Sequence, residues 1–88
     1  MEIEIIYCQV WDYEPQAVSL TDKLITEFKS KIKRLILVPS DGGRFEVSVD
    51  GKQVFSKLKS GRFPDYQEIR KYIRWTVILA GQIRAVVC

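Results

Sequence analysis

Two residues offer thiol chemistry, Cys8 and Cys88, and they stand at opposite ends of the 88-residue chain. Cys8 lies in Tyr7-Cys8-Gln9-Val10-Trp11-Asp12, between the first apolar run and the first helical pattern. In a small α/β domain, a loop from strand to helix is a common place for a working site. A dithiol pair spaced C-x-x-C needs its second cysteine at position 11, where this chain has Trp11. An internal disulfide cycle is therefore excluded. A lone thiol can still form a mixed disulfide, with glutathione or a protein thiol, and be released by an external thiol. That route needs thiolate, and an ordinary cysteine with a pKa of about 8.5 is only a few per cent ionised at neutral pH. A helix N-terminus beside Cys8 would favour thiolate, whereas Asp12 and Glu14, close in sequence, disfavour it. The alternative is a small, semi-buried residue that ends a strand.

Trp11 and Tyr13 supply a second kind of chemistry. An exposed tryptophan in a loop is a common interface anchor, and the other reading is a ring that caps the core beside the first helix. The nearby Tyr13 tilts the choice towards an exposed aromatic surface. The leading expectation is therefore a protein-binding module that is non-catalytic or weakly redox-active and uses the Cys8–Trp11 loop. The alternative is a monothiol redox protein that uses Cys8.

Other chemistries are bounded by composition. Histidine is absent, which removes a Cys-His or Ser-His nucleophile and the commonest metal ligand. The cysteine spacing gives no zinc site, so neither a metal nor a bound cofactor is expected beyond glutathione as a co-reactant. Two cysteines do not make a disulfide framework, and the chain is expected to be cytoplasmic. A pairing of Cys88 with Cys8 would need the tail to fold back, and an incidental cysteine is the simpler reading. The net charge of +3 is mild. Lys57, Lys59, Arg62, Arg70, Lys71 and Arg74 interleave with Phe63, Tyr66 and Trp75, but a solvated basic face with aromatics in the core explains them better than nucleic-acid binding. Gly42-Gly43 is too short to cradle a phosphate and reads as a turn. The apolar stretch from Thr76 to Cys88 is shorter than the roughly 20 residues a membrane span needs. The partner expected is a protein, with the chain itself a monomer or a weak homodimer.

The elements that position the loop follow from periodicity. Residues 1–88 make one domain, with 82–88 an apolar tail of open structure. Glu2 to Tyr7 alternate and then run apolar, as a strand does when it becomes buried. From about Pro15 to Lys33, Val18, Leu24, Ile25, Phe28 and Ile32 follow helical spacing. Asp12 or the residue before Pro15 could cap this helix, or Ser19 with Asp22 could cap a later start. Leu35-Ile36-Leu37-Val38 is expected to be a strand buried on both faces. Arg44 to Val49 alternate, Asp50-Gly51 signals a hairpin, and Lys52 to Ser56 return as the last strand. Lys57 to Arg62 read as a basic loop. Pro64 opens a second helix with Tyr66, Ile69, Tyr72, Ile73, Thr76, Val77 and Ala80 as its buried stripe.

The order is β-α-β-β-β-α. It predicts an α+β two-layer domain with a four-stranded mixed sheet of order 2-1-3-4 and two helices. Several residues also resemble the Rdx, or selenoprotein W-like, family, related to selenoproteins T and H. They are Tyr7-Cys8 at the strand end, and Leu20, Leu24 and Phe28 along the helix. Val38-Pro39-Ser40-Asp41-Gly42-Gly43-Arg44-Phe45-Glu46-Val47 is similar to the family's V-P-x-x-G-G-x-F-E-V segment. Asp50-Gly51, Ser56-Lys57 and Gly61-Arg62-Phe63-Pro64 complete a resemblance over roughly residues 3 to 74. It implies a thioredoxin-like fold and a thiol redox site in the first loop. Cys8 matches the first position of that site, and Trp11 stands where the second cysteine or selenocysteine belongs.

Overall fold

Alternation in β1 (Glu2–Cys8) turns Ile3 and Ile5 to one face, where both are fully buried. β1 is a central strand. It pairs in parallel with β2 (Arg34–Ser40) and antiparallel with β3 (Phe45–Val49), and β4 (Lys52–Ser56) lies beyond β3. The sheet order is β2-β1-β3-β4, as the sequence predicts. The computed structural model describes residues 1–75.

Register sets Ile3 beside Val49, Ile5 beside Val47 and Tyr7 beside Phe45, all on one face. The helix α1 (Glu14–Phe28) covers that face with Ala17, Leu20, Leu24 and Phe28. A helix over residues 66–75 (α3) adds Ile69 and Ile73 to the same apolar cluster. Both helices therefore share one layer, which makes the domain two-layered. The opposite sheet face carries Glu4, Ile6, Ile36, Val38 and Ser48, all half-buried.

The β3–β4 hairpin turns at Asp50 (φ 51°) and Gly51 (φ 81°), the double positive φ of a type I′ turn. Asp50 also ties the hairpin to the start of β1. Its N–H donates to the Glu2 carbonyl, and its Oδ1 accepts from the Glu2 N–H, each at 2.8 Å. In β4, Val54 is an extra residue, because Val47 pairs with Phe55 and Ser48 with Gln53.

Several expectations need correction. α1 ends at Phe28 rather than near Lys33. Lys29 leaves the helix with φ 43°, and a 3-10 turn, Lys29–Lys31, follows. Its N-cap is Tyr13, without a side-chain bond. Asp12, with φ 58°, does not cap it, and Ser19 and Asp22 lie inside it. Its buried stripe is Ala17-Leu20-Leu24-Phe28, whereas Val18 and Ile25 are 58% and 49% exposed. β2 is not buried on both faces. It is an edge strand, and Leu37 is 37% exposed. The basic loop contains a short helix, α2 (Lys57–Ser60).

α3 begins after Asp65 rather than at Pro64. Asp65 Oδ1 accepts from the Gln67 N–H at 3.1 Å, and Glu68 Oε1 accepts from the Asp65 N–H at 2.9 Å. This reciprocal cap fixes the start two residues later than proline alone suggests. Arg70, expected to face out, instead turns to α1 and donates to Glu27 Oε2 at 2.6 Å. Tyr66 Oη donates to the other Glu27 oxygen at 2.6 Å. These bonds join α3 to one flank of α1. Thr76, Val77, Ala80, the 82–88 tail and Cys88 lie outside the described residues.

Candidate functional site: the loop from β1 to α1

Hydrogen bonds from its own ends and from the β2–β3 connection build this loop. The Tyr13 N–H donates to the Cys8 carbonyl at 3.0 Å, and the Asp12 N–H donates to the Gln9 carbonyl at 3.1 Å. These bonds close residues 9–12 into a tight turn, with Asp12 in the left-handed region. Outside bonds then brace it. The Cys8 N–H donates to the Arg44 carbonyl at 2.8 Å, and the Gln9 N–H to the Ser40 carbonyl at 2.9 Å. The turn is thus set by backbone groups rather than by side chains, so changing its side chains need not change its shape.

Cys8 and Trp11 emerge in opposite environments. Cys8 is 0% exposed at the end of β1, outside the continuous core cluster. Trp11 is 60% exposed. One side of its ring lies against the turn at Gly43, and a Cβ at Gly43 would come within 2.7 Å of the Trp11 ring. Gly43 also has φ 72°, so a side chain there is both obstructed and strained. The Gly-Gly turn therefore does more than reverse the chain, because its second glycine gives the indole a place to lie.

Tyr13 is half-buried rather than fully displayed. Its ring meets Trp11 edge-on at 6.2 Å and Phe63 at 4.7 Å, and Phe63 meets Phe45 at 5.4 Å. Lys57 Nζ lies 5.4 Å from the Tyr13 ring centre and 5.2 Å from that of Phe63. An aromatic row therefore leads from the exposed indole to the buried Phe45. Beside the row, a groove of about 310 Å³ is lined by Pro15, Leu20, Phe45, Pro64 and Tyr66, with Lys23 on its wall. Neither Gly43 nor this groove was singled out from sequence as part of the site. In the sequence, Gly42-Gly43 and Phe63-Pro64 read as turn and helix start, and Leu20, Phe45 and Tyr66 as core or family positions.

The charged groups near α3 are largely engaged with one another. Arg62 binds both oxygens of Glu68, at 2.6 and 3.1 Å, and Arg70 binds Glu27. The Arg62 guanidinium and the Asp65 N–H hold the Glu68 carboxyl below its ordinary range. The Tyr66 hydroxyl, together with Arg70, does the same for Glu27. Burial and the Glu27 bond push the Tyr66 phenol well above its ordinary value. The basic set is thus interrupted, because Arg62 and Arg70 are in ion pairs.

The model of the Rdx family matches residues 2–75. The chain belongs to the Rdx family. Among solved structures, the Rdx domain is similar to a selenoprotein W-related protein from Vibrio cholerae. The TM-score is 0.82 and the identity 29%, over 86% of this chain and 95% of that one. A Bordetella parapertussis structure is similar at a TM-score of 0.79 and 25% identity, over 83% of this chain and 92% of the other. A SelT-like protein of Arabidopsis thaliana is 57% identical over 35 residues, which is 40% of this chain. The match spans only 17% of that relative's length. The thioredoxin-like, selenoprotein W-like fold expected from the sequence is therefore the one present. Among the described residues, no helix is long and apolar enough to cross a membrane.

Proposed function

We propose that this Rdx domain is a protein-binding module that is non-catalytic or weakly redox-active, with the Cys8–Trp11 loop as its contact surface. One observation carries the proposal: within three residues of one backbone-braced turn, the thiol is fully enclosed and the indole is displayed. A large amphipathic ring held on a rigid scaffold loses little freedom on binding, which suits an anchor. The groove past Tyr13 extends the apolar surface over which a partner segment can lie. Tyr13 supports Trp11 from beneath and contributes its own edge.

A comparative pull-down tests the proposal. Natural protein, Trp11→Ala and Trp75→Ala are used as baits, the last because Trp75 is also exposed but lies on α3. Loss of partners with Trp11→Ala alone is the expected result. An unchanged set with Trp11→Ala would remove the loop as the interface.

The second reading, a monothiol that forms mixed disulfides with glutathione or protein thiols, is favoured by the position of Cys8 at the end of β1. It requires the turn to open before the Sγ can meet a disulfide. Glutathione treatment of Cys88→Ser protein, followed by intact-mass measurement, distinguishes it. Ready addition to the folded protein supports a monothiol, and addition only after unfolding supports the binding module.

A further inference from the structure

The two edges of the sheet are built differently. β4 presents Lys52 and Gln53 to solvent and is broken by the extra residue Val54, and both features discourage strand addition. β2 has none of this along its middle. Leu35-Ile36-Leu37-Val38 pairs with β1 in unbroken register, and among the described residues its outer edge carries no strand. The Ser40 carbonyl points inwards to the Gln9 N–H, so by alternation the backbone groups of Leu35 and Leu37 point outwards. Pro39 points outwards as well and removes only one outer donor. On the helix side of this edge, α1 adds apolar surface. Glu27 and the Lys23 carbonyl bind α3, so the flank bearing Val18 and Ile25 is turned the other way, towards β2.

From this edge we infer a two-fold dimer, in which β2 of one copy pairs antiparallel with β2 of a second copy about Leu37. The occupant follows from the charges that flank the strand. Pairing about position 37 sets Lys33 opposite Asp41 of the second copy, and Arg34 opposite its Ser40. Among the described residues, no ion pair engages Lys33 or Asp41. Lys33 and Asp41 flank β2 (Arg34–Ser40), and the Lys33 N–H is already bonded to the Met1 carbonyl at 2.8 Å, so each copy carries both halves of a reciprocal side-chain pair just beyond the ends of the strand. Leu37 exchanges both backbone bonds with its symmetry mate, and the Leu35 N–H donates to the Pro39 carbonyl of the second copy. Val18 and Ile25 of the two copies meet above the joined sheet. A foreign strand would gain the same backbone bonds, but a second copy brings both charged ends in reverse order by symmetry.

Sedimentation of the full chain over a concentration series tests the inference. The natural protein should pass from one to two chain masses as concentration rises. Leu37→Lys places like charges across the axis and should hold the protein monomeric. Lys33→Glu and Asp41→Lys should each weaken the dimer about tenfold, and the double reversal should restore it. Circular dichroism of each variant confirms that the fold is kept. A natural protein monomeric throughout the series overturns the inference. So does a dimer that a folded Leu37→Lys variant leaves intact, or a double reversal that fails to recover affinity. The interface is centred on Leu37 and its test reads chain mass rather than partner capture, so the outcome does not depend on the loop's proposed role.

Discussion

Cys8 and Trp11 are the two ends of one short turn, and they differ in almost every respect that decides function. Cys8 belongs to β1 and inherits the enclosure of a central strand. Trp11 belongs to the turn itself and is held out against the second of two glycines. A dithiol site needs both positions reachable by one another and by a substrate. Here one position is closed and the other carries no sulfur, so the same scaffold presents a ring rather than a thiol. A fold does not by itself carry a reaction, which depends on the residues placed on it.

The largest way to break the contrast is to remove its support. Phe45 is buried beneath Phe63, at the inner end of the aromatic row. Phe45→Ala should cost about 3–5 kcal/mol, measured by urea unfolding, and should raise Cys8 alkylation as open states become populated. A smaller perturbation acts on the indole alone. Gly43→Ala forces a Cβ into the Trp11 ring and a side chain into a left-handed conformation, and should cost about 1–2 kcal/mol. In a Trp75→Phe background, the same change should shift Trp11 fluorescence towards that of free indole. An unshifted spectrum would show that the contact with Gly43 is not what holds the ring. Trp11→Ala sharpens the contrast from the other side, because a mostly exposed ring should cost under about 1 kcal/mol of stability while abolishing partner capture.

The smallest effect concerns pH and lies away from the loop. Glu27 and Glu68 are held below their ordinary range by Tyr66 and Arg70 and by Arg62. Their contribution is therefore complete above the usual carboxylate pKa of about 4.3 and is lost as pH falls through the lowered values. Acid titration should loosen α3 from α1 before it alters the turn, whose bonds are backbone to backbone. Proton-exchange protection of the two segments would show the order, and simultaneous loss would mean the loop depends on the α1–α3 contacts.

Much of the scaffold is legible in the sequence because its period is local. Alternation in Glu2 to Tyr7 and in Arg44 to Val49, with Asp50-Gly51 between β3 and β4, marks the central strands and the hairpin without reference to the rest. The misread elements are those whose apolar residues answer to something else. Val18 and Ile25 suggest a wider buried stripe, yet the core takes Ala17 and Leu20, and the two larger residues sit on the outer flank. An apolar run at 35–38 resembles a strand buried on both faces, although β2 is an edge. Pro64 announces a helix, but the Asp65–Glu68 cap decides where it starts. At the site, Trp11 and Tyr13 could be named from residue type and place. The complete burial of Cys8 and the indole resting at Gly43 could not, since each depends on contacts with residues some thirty positions away in sequence.

The most direct test of the account is the reactivity of Cys8 in the folded Cys88→Ser protein, measured as the rate of alkylation by a small neutral reagent against the urea-unfolded chain. The account predicts a rate about a hundredfold slower, or more, in the folded state, because reaction must wait for opening. A folded-state rate equal to or above that of the unfolded chain would contradict it and return this loop to thiol chemistry.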